Sequence, residues 1–252
     1  MRHPGYAIYK LTSVINSGET ENSDTIIAKA LLSIRDEIEG RSMDDIAAEF
    51  FVSQAGISRF IRKLGYKNFN EFKSDLQASA FHMRTRTPVI GKDYESASED
   101  LYEEMKRVTE GIRTLNRKDV LKTFEGLKKY KNIYFIGSEL SMNILRLLQL
   151  KLISQGKNVY TICKERYQAE TLNKLTDDDL LIAVSMGQRW YVSIADELKS
   201  KKRHGRRILW TVSEDHQDRD QFDRVIMIGH TDDPNIGYHY LMQFAMILYQ
   251  MM

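Results

Sequence analysis

The sequence contains little cysteine, proline or tryptophan: one Cys, three Pro and two Trp occur among 252 residues. The single Cys163 excludes an internal disulfide framework and fits a reducing cytoplasm. No run of about 18 apolar residues is present, and the N-terminus lacks the apolar segment of a signal peptide. We therefore expect a cytoplasmic protein that has no membrane partner.

Residue patterns that hold a metal or a dinucleotide are also absent from the sequence. Its six histidines show no metal-ligand spacing, and one distant cysteine adds little, so we expect no metal site. Gly137 follows a predicted strand but lacks the two further glycines of a dinucleotide fingerprint, and we expect no cofactor. Cys163 is expected to be a buried inert thiol, with a redox sensor as the alternative.

Residues 42–64 show the pattern of two short helices joined by a turn. Ser42 and Asp45 form a predicted capping box at the start of the first helix, and Ser53 is the predicted N-cap of the second. This pattern predicts a helix-turn-helix, and a solvated amphipathic helix pair in an all-α domain is the alternative. Apolar residues at spacings of three and four predict the buried stripe of the second helix: Ile57, Phe60, Ile61 and Leu64.

The opposite face of the second helix carries groups suited to double-stranded DNA. A recognition helix offers base edges the residues of its N-terminal part, so we expect direct readout from that part. The predicted readout residues are Gln54, Ala55, Ser58 and Arg59, with Ser53 beside them. Three basic residues lie farther along and are expected to bind phosphates, which position a protein without reading sequence: Arg62, Lys63 and Lys67.

Local charge favours the DNA interpretation. The net charge of the whole chain is only +2, so a nucleic-acid surface has to be local. Residues 53–90 carry seven Lys and Arg against two acidic residues, a net charge of +5, whereas residues 1–52 carry five basic and nine acidic residues. This concentration behind the predicted reading helix is what contact with phosphates requires.

The sequence divides into two predicted domains. Residues 1–80 form the helix-turn-helix domain, which a further helix closes. Residues 81–98 contain Pro88 and Gly91 and are assigned to a linker. Residues 99–252 form the second domain, and a hydrophobic content of 42% in the whole chain is sufficient for a buried core.

The second domain contains five short, continuously apolar runs that alternate with helical segments. Strands buried on both faces and separated by helices predict an α/β fold with a doubly wound, five-stranded parallel sheet. The final helix, Asn235–Met252, is rich in Met and Tyr, which fits either the core or a subunit interface. The predicted strands are Ile133–Ile136, Val159–Ile162, Leu180–Val184, Ile208–Val212 and Val225–Ile228.

Between Ile46 and Leu76, Arg-Phe, Lys-Leu-Gly, Phe and Glu-Phe-Lys positions follow one another in a long ordered signature. With this signature the first domain resembles that of the RpiR family of bacterial transcriptional regulators, and the second is similar to their sugar isomerase (SIS) domain. The resemblance implies a flavodoxin-like strand order, a homodimer or homotetramer on operator DNA, and a phosphorylated sugar as effector. Phe51 stands where many helix-turn-helix motifs carry a glycine, which predicts a slightly altered turn.

The loops after the first and third predicted strands form the predicted effector site, because they face the crevice of a flavodoxin-like sheet. Hydroxyls, backbone amides and small residues at helix N-termini suit a phosphate. The residues of this kind are Gly137, Ser138, Ser141, Ser185 and Gly187, with Gln188 and Arg189 beside them.

This site departs from the family pattern, which usually reads Gly-x-Gly-x-Ser in the first loop and Ser-x-Ser-Gly-x-Thr in the second. Glu139 replaces a glycine, and Gly187, Gln188 and Trp190 stand where Ser, Gly and Thr are usual. A carboxylate would repel a phosphate, Trp190 could occupy part of the cavity, and Arg189 could offset the charge. Three alternatives stay open: a phosphosugar site, a site for a different ligand, and a domain that only oligomerises.

Sugar isomerisation is the rival function, because SIS folds also serve isomerases that need a base beside the acidic carbon of the substrate. Only Glu139, Glu165 and His239 can be placed near the strand ends, and their spacing forms no pair. Catalysis would also leave the DNA-reading domain unexplained. We therefore expect a regulator that is not an enzyme.

Overall fold

The computed structural model describes residues 7–16, 22–86, 93–200, 204–216 and 218–252. The chain divides into two compact units, Met1–Gly91 and Lys92–Met252. Each unit has a hydrophobic core of its own. Among the helices within these ranges, none has the length and apolarity that a membrane crossing requires.

The first unit is built from helices whose starts are fixed by side-chain caps. Asn22, Ser42 and Ser53 each accept a hydrogen bond from a backbone N–H in the first turn of the helix that follows, and Ser42 and Asp45 form the expected capping box. A 3-10 turn at Ile38–Gly40 precedes the third helix. The α-helices are α1 (Ala7–Ile15), α2 (Ser23–Ser33), α3 (Met43–Glu49), α4 (Gln54–Lys63) and α5 (Phe69–Arg86).

The second unit alternates strands and helices after two opening helices. The helices are α6 (Tyr94–Arg113), α7 (Arg117–Lys129), α8 (Glu139–Ile144), α9 (Arg146–Ser154), α10 (Glu165–Lys174), α11 (Gln188–Ser200) and α12 (Pro234–Met251). The strands are β1 (Asn132–Gly137), β2 (Asn158–Ile162), β3 (Asp179–Ser185), β4 (Arg206–Thr211) and β5 (Arg224–Met227). A second 3-10 turn lies at Arg219–Gln221.

The five strands form one parallel sheet in the order β2-β1-β3-β4-β5, which confirms the expected flavodoxin-like order. Ile133 of β1 lies between Val159 of β2 and Leu180 of β3. Every residue of β3 is buried, so both faces of this strand are covered. Coverage on both faces explains why the strands read as continuous apolar runs and not as alternating ones.

The predicted linker 81–98 is helical at both of its ends. Helix α5 continues to Arg86, since no helix breaker precedes Pro88, and α6 begins at Tyr94. Asp93 fixes the start of α6 by accepting a hydrogen bond of 2.8 Å from the Ser96 N–H. Residues 87–92 lie outside the described residues, and the division between the two compact units falls within the predicted linker.

Candidate nucleic-acid interface and ligand crevice

Helix α4 separates an apolar face from a polar one, as its sequence predicts. Ser53 caps the helix, with its Oγ accepting a hydrogen bond of 3.0 Å from the Gly56 N–H. Ile57, Phe60 and Ile61 are buried in the core of the first unit. The opposite face of α4 therefore points toward solvent, because the Ser53 cap fixes the start of the helix and the apolar face packs on the core.

Most of the predicted DNA-binding residues lie on this exposed face. Ser58 is half-buried, and Ser53 already uses its hydroxyl as the helix cap. Within the ranges that the structure describes, neither Arg59 nor Arg62 forms an ion pair. The exposed members of the predicted set are Ser53, Gln54, Ala55, Arg59, Arg62, Lys63 and Lys67.

Lys63 differs from the other basic residues on this face because its charge is already paired. Its Nζ lies 2.5 Å from Oδ2 of Asp24, an acidic residue in the first turn of α2. The pair links α4 to α2, so Lys63 has a positioning role besides the phosphate contact that its place in the sequence predicts. Lys67 is exposed in the loop between α4 and α5, where its backbone N–H donates to Glu71 at 2.5 Å.

The turn between α3 and α4 keeps the conformation that a glycine would adopt, although the residue is Phe51. Its φ is 53°, in the left-handed region that L-residues seldom occupy. The side chain of Phe51 is 97% exposed. The turn therefore differs from a turn with glycine at this position in its side chain, whereas its backbone is left-handed as a glycine would allow.

The loop after β1 places two serines at the start of α8, and both are bonded within the protein. Ser138 caps α8 by accepting a hydrogen bond of 3.3 Å from the Ser141 N–H, and its Oγ lies 3.0 Å from Oγ of Ser141. Tyr238 of α12 approaches the same hydroxyl, with its Oη 3.4 Å from Ser138 Oγ. Ser141 is buried. The two hydroxyls are therefore already bonded to each other within the protein.

The loop after β3 is bonded internally as well. Ser185 is buried, and its Oγ lies 3.2 Å from the carbonyl oxygen of Gly187. His216, which follows β4 and is also buried, has its Nε2 3.1 Å from the same Ser185 Oγ. The hydroxyl has one hydrogen, which it donates either to Gly187 or to His216, depending on the tautomer of His216. Ser185 therefore has no hydrogen left to give to a phosphate in this arrangement.

The two predicted site glycines lie in close contact with other segments of the protein. A Cβ on Gly137 would lie 2.7 Å from the side chain of Met142 and 3.0 Å from the carbonyl oxygen of Val184. A Cβ on Gly187 would lie 3.2 Å from Cγ of Pro234, at the start of α12. The side chains of Gln188 and Arg189 lie outside the described residues, so their predicted part in the site is unchanged.

Trp190 is fixed by a hydrogen-bond network that its sequence position does not predict. Its side chain is buried, and its indole N–H donates to Oε1 of Gln168 at 3.1 Å. Gln168 in turn donates to the carbonyls of Gly137 at 2.8 Å and Ile162 at 2.7 Å. The network joins the ends of β1 and β2 to α10 and α11. Neither Gln168 nor His216 belongs to a motif, and position after a strand is the only sequence signal that either carries.

Cys163 follows β2, and its thiol is half-buried. Burial, followed by the charge of Glu139, raises the pKa of the Cys163 thiol above its ordinary value, which disfavours the nucleophilic thiolate. Among the candidate bases, His239 lies on α12 with its Nδ1 2.7 Å from Glu104 of α6, and the side chain of Glu165 lies outside the described residues. No group of three His, Cys, Asp or Glu able to hold a metal occurs in the described ranges.

The first unit matches a known domain family, and a relative is similar over most of the chain. Residues 11–81 match the helix-turn-helix domain of the rpiR family. An HTH-type transcriptional regulator of Clostridium perfringens, itself described as uncharacterized, is 24% identical over 203 residues, which are 78% of this chain and 71% of the relative. The region of the family match includes both capped helices and the turn at Phe51.

Solved structures share the fold across both units. The NanR protein of Vibrio vulnificus, solved in complex with ManNAc-6P, is 15% identical and aligns with 97% of this chain and 90% of its own, with a TM-score of 0.53. A putative sugar-phosphate isomerase of Listeria monocytogenes is 14% identical and aligns with 64% of this chain and 91% of its own, with a TM-score of 0.51. Together with the five-stranded parallel sheet, these similarities show a helix-turn-helix domain of the rpiR family in the first unit and an α/β fold shared with these solved structures in the second.

Proposed function

We propose that the protein binds operator DNA through the exposed face of α4, and that its second unit associates with a second copy and carries the effector crevice. The observation that supports DNA reading best is the exposed, polar face of a short helix whose start is capped and whose back is buried. In this proposal Arg59 pairs with guanine, Gln54 pairs with adenine, and Ala55 contacts a thymine methyl group. Ser58 adds a hydrogen bond, and Arg62 and Lys67 contact phosphates.

The test of DNA reading uses a duplex enriched from a random-sequence pool by the full-length chain. Arg59→Ala is expected to remove the preference for this duplex over a scrambled one, because a bidentate Arg–guanine pair is worth about 1–3 kcal/mol of discrimination. Arg166→Ala is the matched control, since the Arg166 side chain is 83% exposed in the second unit. Unchanged preference in Arg59→Ala, measured by electrophoretic mobility shift, would remove α4 from the proposal.

We further propose a phosphorylated sugar as the effector in the crevice between the loops after β1 and β3. Ser138 at the start of α8 and the serine of the second loop are the groups suited to a phosphate. NanR of Vibrio vulnificus, which shares the fold over nearly the whole chain, was solved in complex with ManNAc-6P. Because Ser185 is bonded to His216 and Gly187, binding would require these hydrogen bonds to rearrange.

A panel of sugar phosphates and the corresponding unphosphorylated sugars tests the effector by thermal shift. At least one sugar phosphate is expected to stabilise the wild type, whereas Ser138→Asp is expected to lose the shift because aspartate keeps the helix cap but repels a phosphate. Asn22→Asp makes a comparable change at the cap of α2 in the other unit. No shift of the wild type by any compound would favour a SIS domain that only oligomerises, an alternative supported by the internally satisfied serines.

Self-association is proposed on an apolar stripe of the second unit. Helices α9 and α12 lie side by side, with Nζ of Lys151 5.3 Å from the ring centroid of Tyr249. A second copy is the proposed occupant, because a dimer presents two reading helices to two half-sites. The stripe consists of the exposed Leu147, Leu150, Ile153, Met242 and Met246.

Light scattering tests this surface. Leu150→Glu is expected to shift the mass of the chain from an oligomer toward a monomer, because a carboxylate in an apolar interface loses its hydration without gaining a partner. Leu121→Glu, at an exposed leucine of α7, is the control and is expected to leave the mass unchanged. An unchanged oligomer in Leu150→Glu would place the interface elsewhere.

A further inference from the structure

Phe51 combines two features that are each unfavourable in the free protein. Its backbone is left-handed, with φ 53°, although a side chain disfavours that conformation. Its side chain is 97% exposed, so the ring gains almost nothing from packing in the free chain. A glycine would satisfy the turn at lower cost. The stability of the first unit therefore gives no reason for an aromatic ring at this position.

The elbow that carries Phe51 is held firmly on both sides. Before it, the Phe50 N–H donates to the carbonyl of Ile46 at 3.1 Å; after it, the Val52 N–H donates to the carbonyl of Ala47 at 3.1 Å. Phe50 and Val52 also pack against the core of the first unit. Phe51 is thus an exposed ring on a fixed turn, two residues before the cap of the reading helix.

We propose that Phe51 is a DNA-contacting residue, whose ring packs against apolar surface of the duplex at the groove edge beside the start of α4. The proposal rests on the proposed function, since it needs α4 to read DNA. An aromatic ring cannot replace a basic group at a phosphate, but DNA offers two apolar partners, the thymine methyl group and the deoxyribose. Burial against either one would give the ring the contact that it lacks in the free chain.

The surroundings of Phe51 favour a duplex over a second protein as the partner. The exposed residues that follow it are small, polar or basic: Ser53, Gln54, Ala55, Arg59 and Arg62. The centre of a protein–protein interface is apolar and depleted in charge, which this face is not. A single apolar group at the border of a polar, basic face fits a mixed surface such as the groove, where methyl groups lie among hydrogen-bonding base edges.

Three substitutions in the full-length chain separate the ring from the backbone conformation. Phe51→Gly and Phe51→Asn both remove the ring and both tolerate the left-handed turn, but glycine loosens the elbow whereas asparagine constrains it more. Phe51→Tyr keeps the ring. The probe is the duplex enriched from a random-sequence pool by the wild type, and affinity is measured by fluorescence anisotropy at fixed salt. Thermal unfolding of each variant is measured in parallel.

Phe51→Gly and Phe51→Asn are expected to bind this duplex about tenfold more weakly, as loss of a buried aromatic contact implies, while Phe51→Tyr keeps wild-type affinity. Neither weakened variant is expected to unfold at a lower temperature than the wild type. Deoxyuridine in place of thymine then identifies the partner. Ala55 is present in both proteins, so the comparison is between their losses: if the wild type loses more affinity on that duplex than Phe51→Asn does, the ring contacts a methyl group, and if both lose the same amount, it contacts deoxyribose.

Wild-type affinity in both Phe51→Gly and Phe51→Asn would overturn the proposal. If Arg59→Ala still loses the selected duplex in that case, α4 reads DNA and the exposed ring serves another surface, such as one that contacts a protein. Failure of the proposed function looks different, because then no duplex is enriched or Arg59→Ala binds like the wild type. Weakened binding accompanied by a lower unfolding temperature in both variants would also overturn the proposal, since it would assign Phe51 to the fold.

Discussion

The exposed face of α4 and the crevice at the carboxyl ends of β1 and β3 use polar side chains in opposite ways. On α4, Arg59 and Arg62 extend into solvent from a packed helix. In the crevice, Ser185 and Ser141 are buried and bonded to neighbouring protein groups. A polar group in water is available to a partner at little cost, whereas a satisfied buried group has to give up one hydrogen bond to make another. Both surfaces carry residue types that suit their proposed ligands, and in the proposal only the crevice has to rearrange its hydrogen bonds to bind.

The largest expected effect concerns the crevice, at Gln168. Gln168→Ala removes the acceptor of the Trp190 indole N–H and the donor to two carbonyls, all in a buried region, so we expect a loss of about 3 kcal/mol in the free energy of unfolding. Both tryptophans, Trp190 and Trp210, lie in the second unit, and their fluorescence during urea unfolding reports on that unit.

Gln243→Ala is the control for this measurement, because the Gln243 side chain bonds to Thr109 in an exposed position. We expect a change below about 0.5 kcal/mol for that variant. Equal effects of the two substitutions would contradict the contrast between a satisfied crevice and an available reading face. A larger effect at Gln168 would establish that the crevice polar groups are part of the fold.

A smaller effect is expected at Ser185. Ser185→Ala leaves the buried Nε2 of His216 without its hydrogen-bond partner, so the free energy of unfolding should fall by about 1.5 kcal/mol. Ser98→Ala, at an exposed serine of α6, is expected to change it by less than about 0.5 kcal/mol. If both variants unfold like the wild type in the same tryptophan assay, the Ser185 hydroxyl is free for a ligand. The crevice would then resemble the exposed face of α4 in having polar groups available to a partner.

The smallest expected effect distinguishes two basic residues on the exposed face of α4, Arg62 and Lys63. Arg62→Ala should lower the slope of log affinity against log salt by about 0.9, the value for one phosphate contact on duplex DNA. Lys63→Ala should lower it by less than half of that amount, because Lys63 is already paired with Asp24. Titrations of the selected duplex at several salt concentrations measure both slopes. Equal changes in the slope would indicate that Lys63 contacts a phosphate as Arg62 does.

Elements with a strong local pattern were predictable from the sequence. The central strand was expected at Leu180–Val184 and extends over Asp179–Ser185, because a strand buried on both faces needs apolar residues at nearly every position. Capping residues likewise defined the reading helix, since Ser53 acts on a backbone group only three residues away. In both cases the cause of the structure lies within the segment itself.

Contacts between distant segments were beyond such prediction. The bonds of Gln168 to Gly137 and of His216 to Ser185 each join residues 31 positions apart, so no local spacing encodes them. The helical ends of the segment 81–98 were not predicted for a related reason, because a proline and a glycine constrain only their immediate neighbours. The sequence places Ser138 after β1 and Ser185 at the end of β3, but whether a hydroxyl is free depends on groups that other segments bring to it.

Helix α12 connects the loop after β3 with the apolar stripe on α9 and α12. Its first residue, Pro234, lies against Gly187 in the loop after β3, and Gly237 lies against Met186 in the same loop. The same helix continues for 18 residues, about 27 Å, past Met242 and Met246. A molecule that displaced the loop after β3 would therefore press on the N-terminal end of α12. If α12 moved there as a rigid body, Met242 and Met246 of the apolar stripe would move with it. In the proposed function, ligand binding in the crevice and association of two chains would then be coupled through one helix.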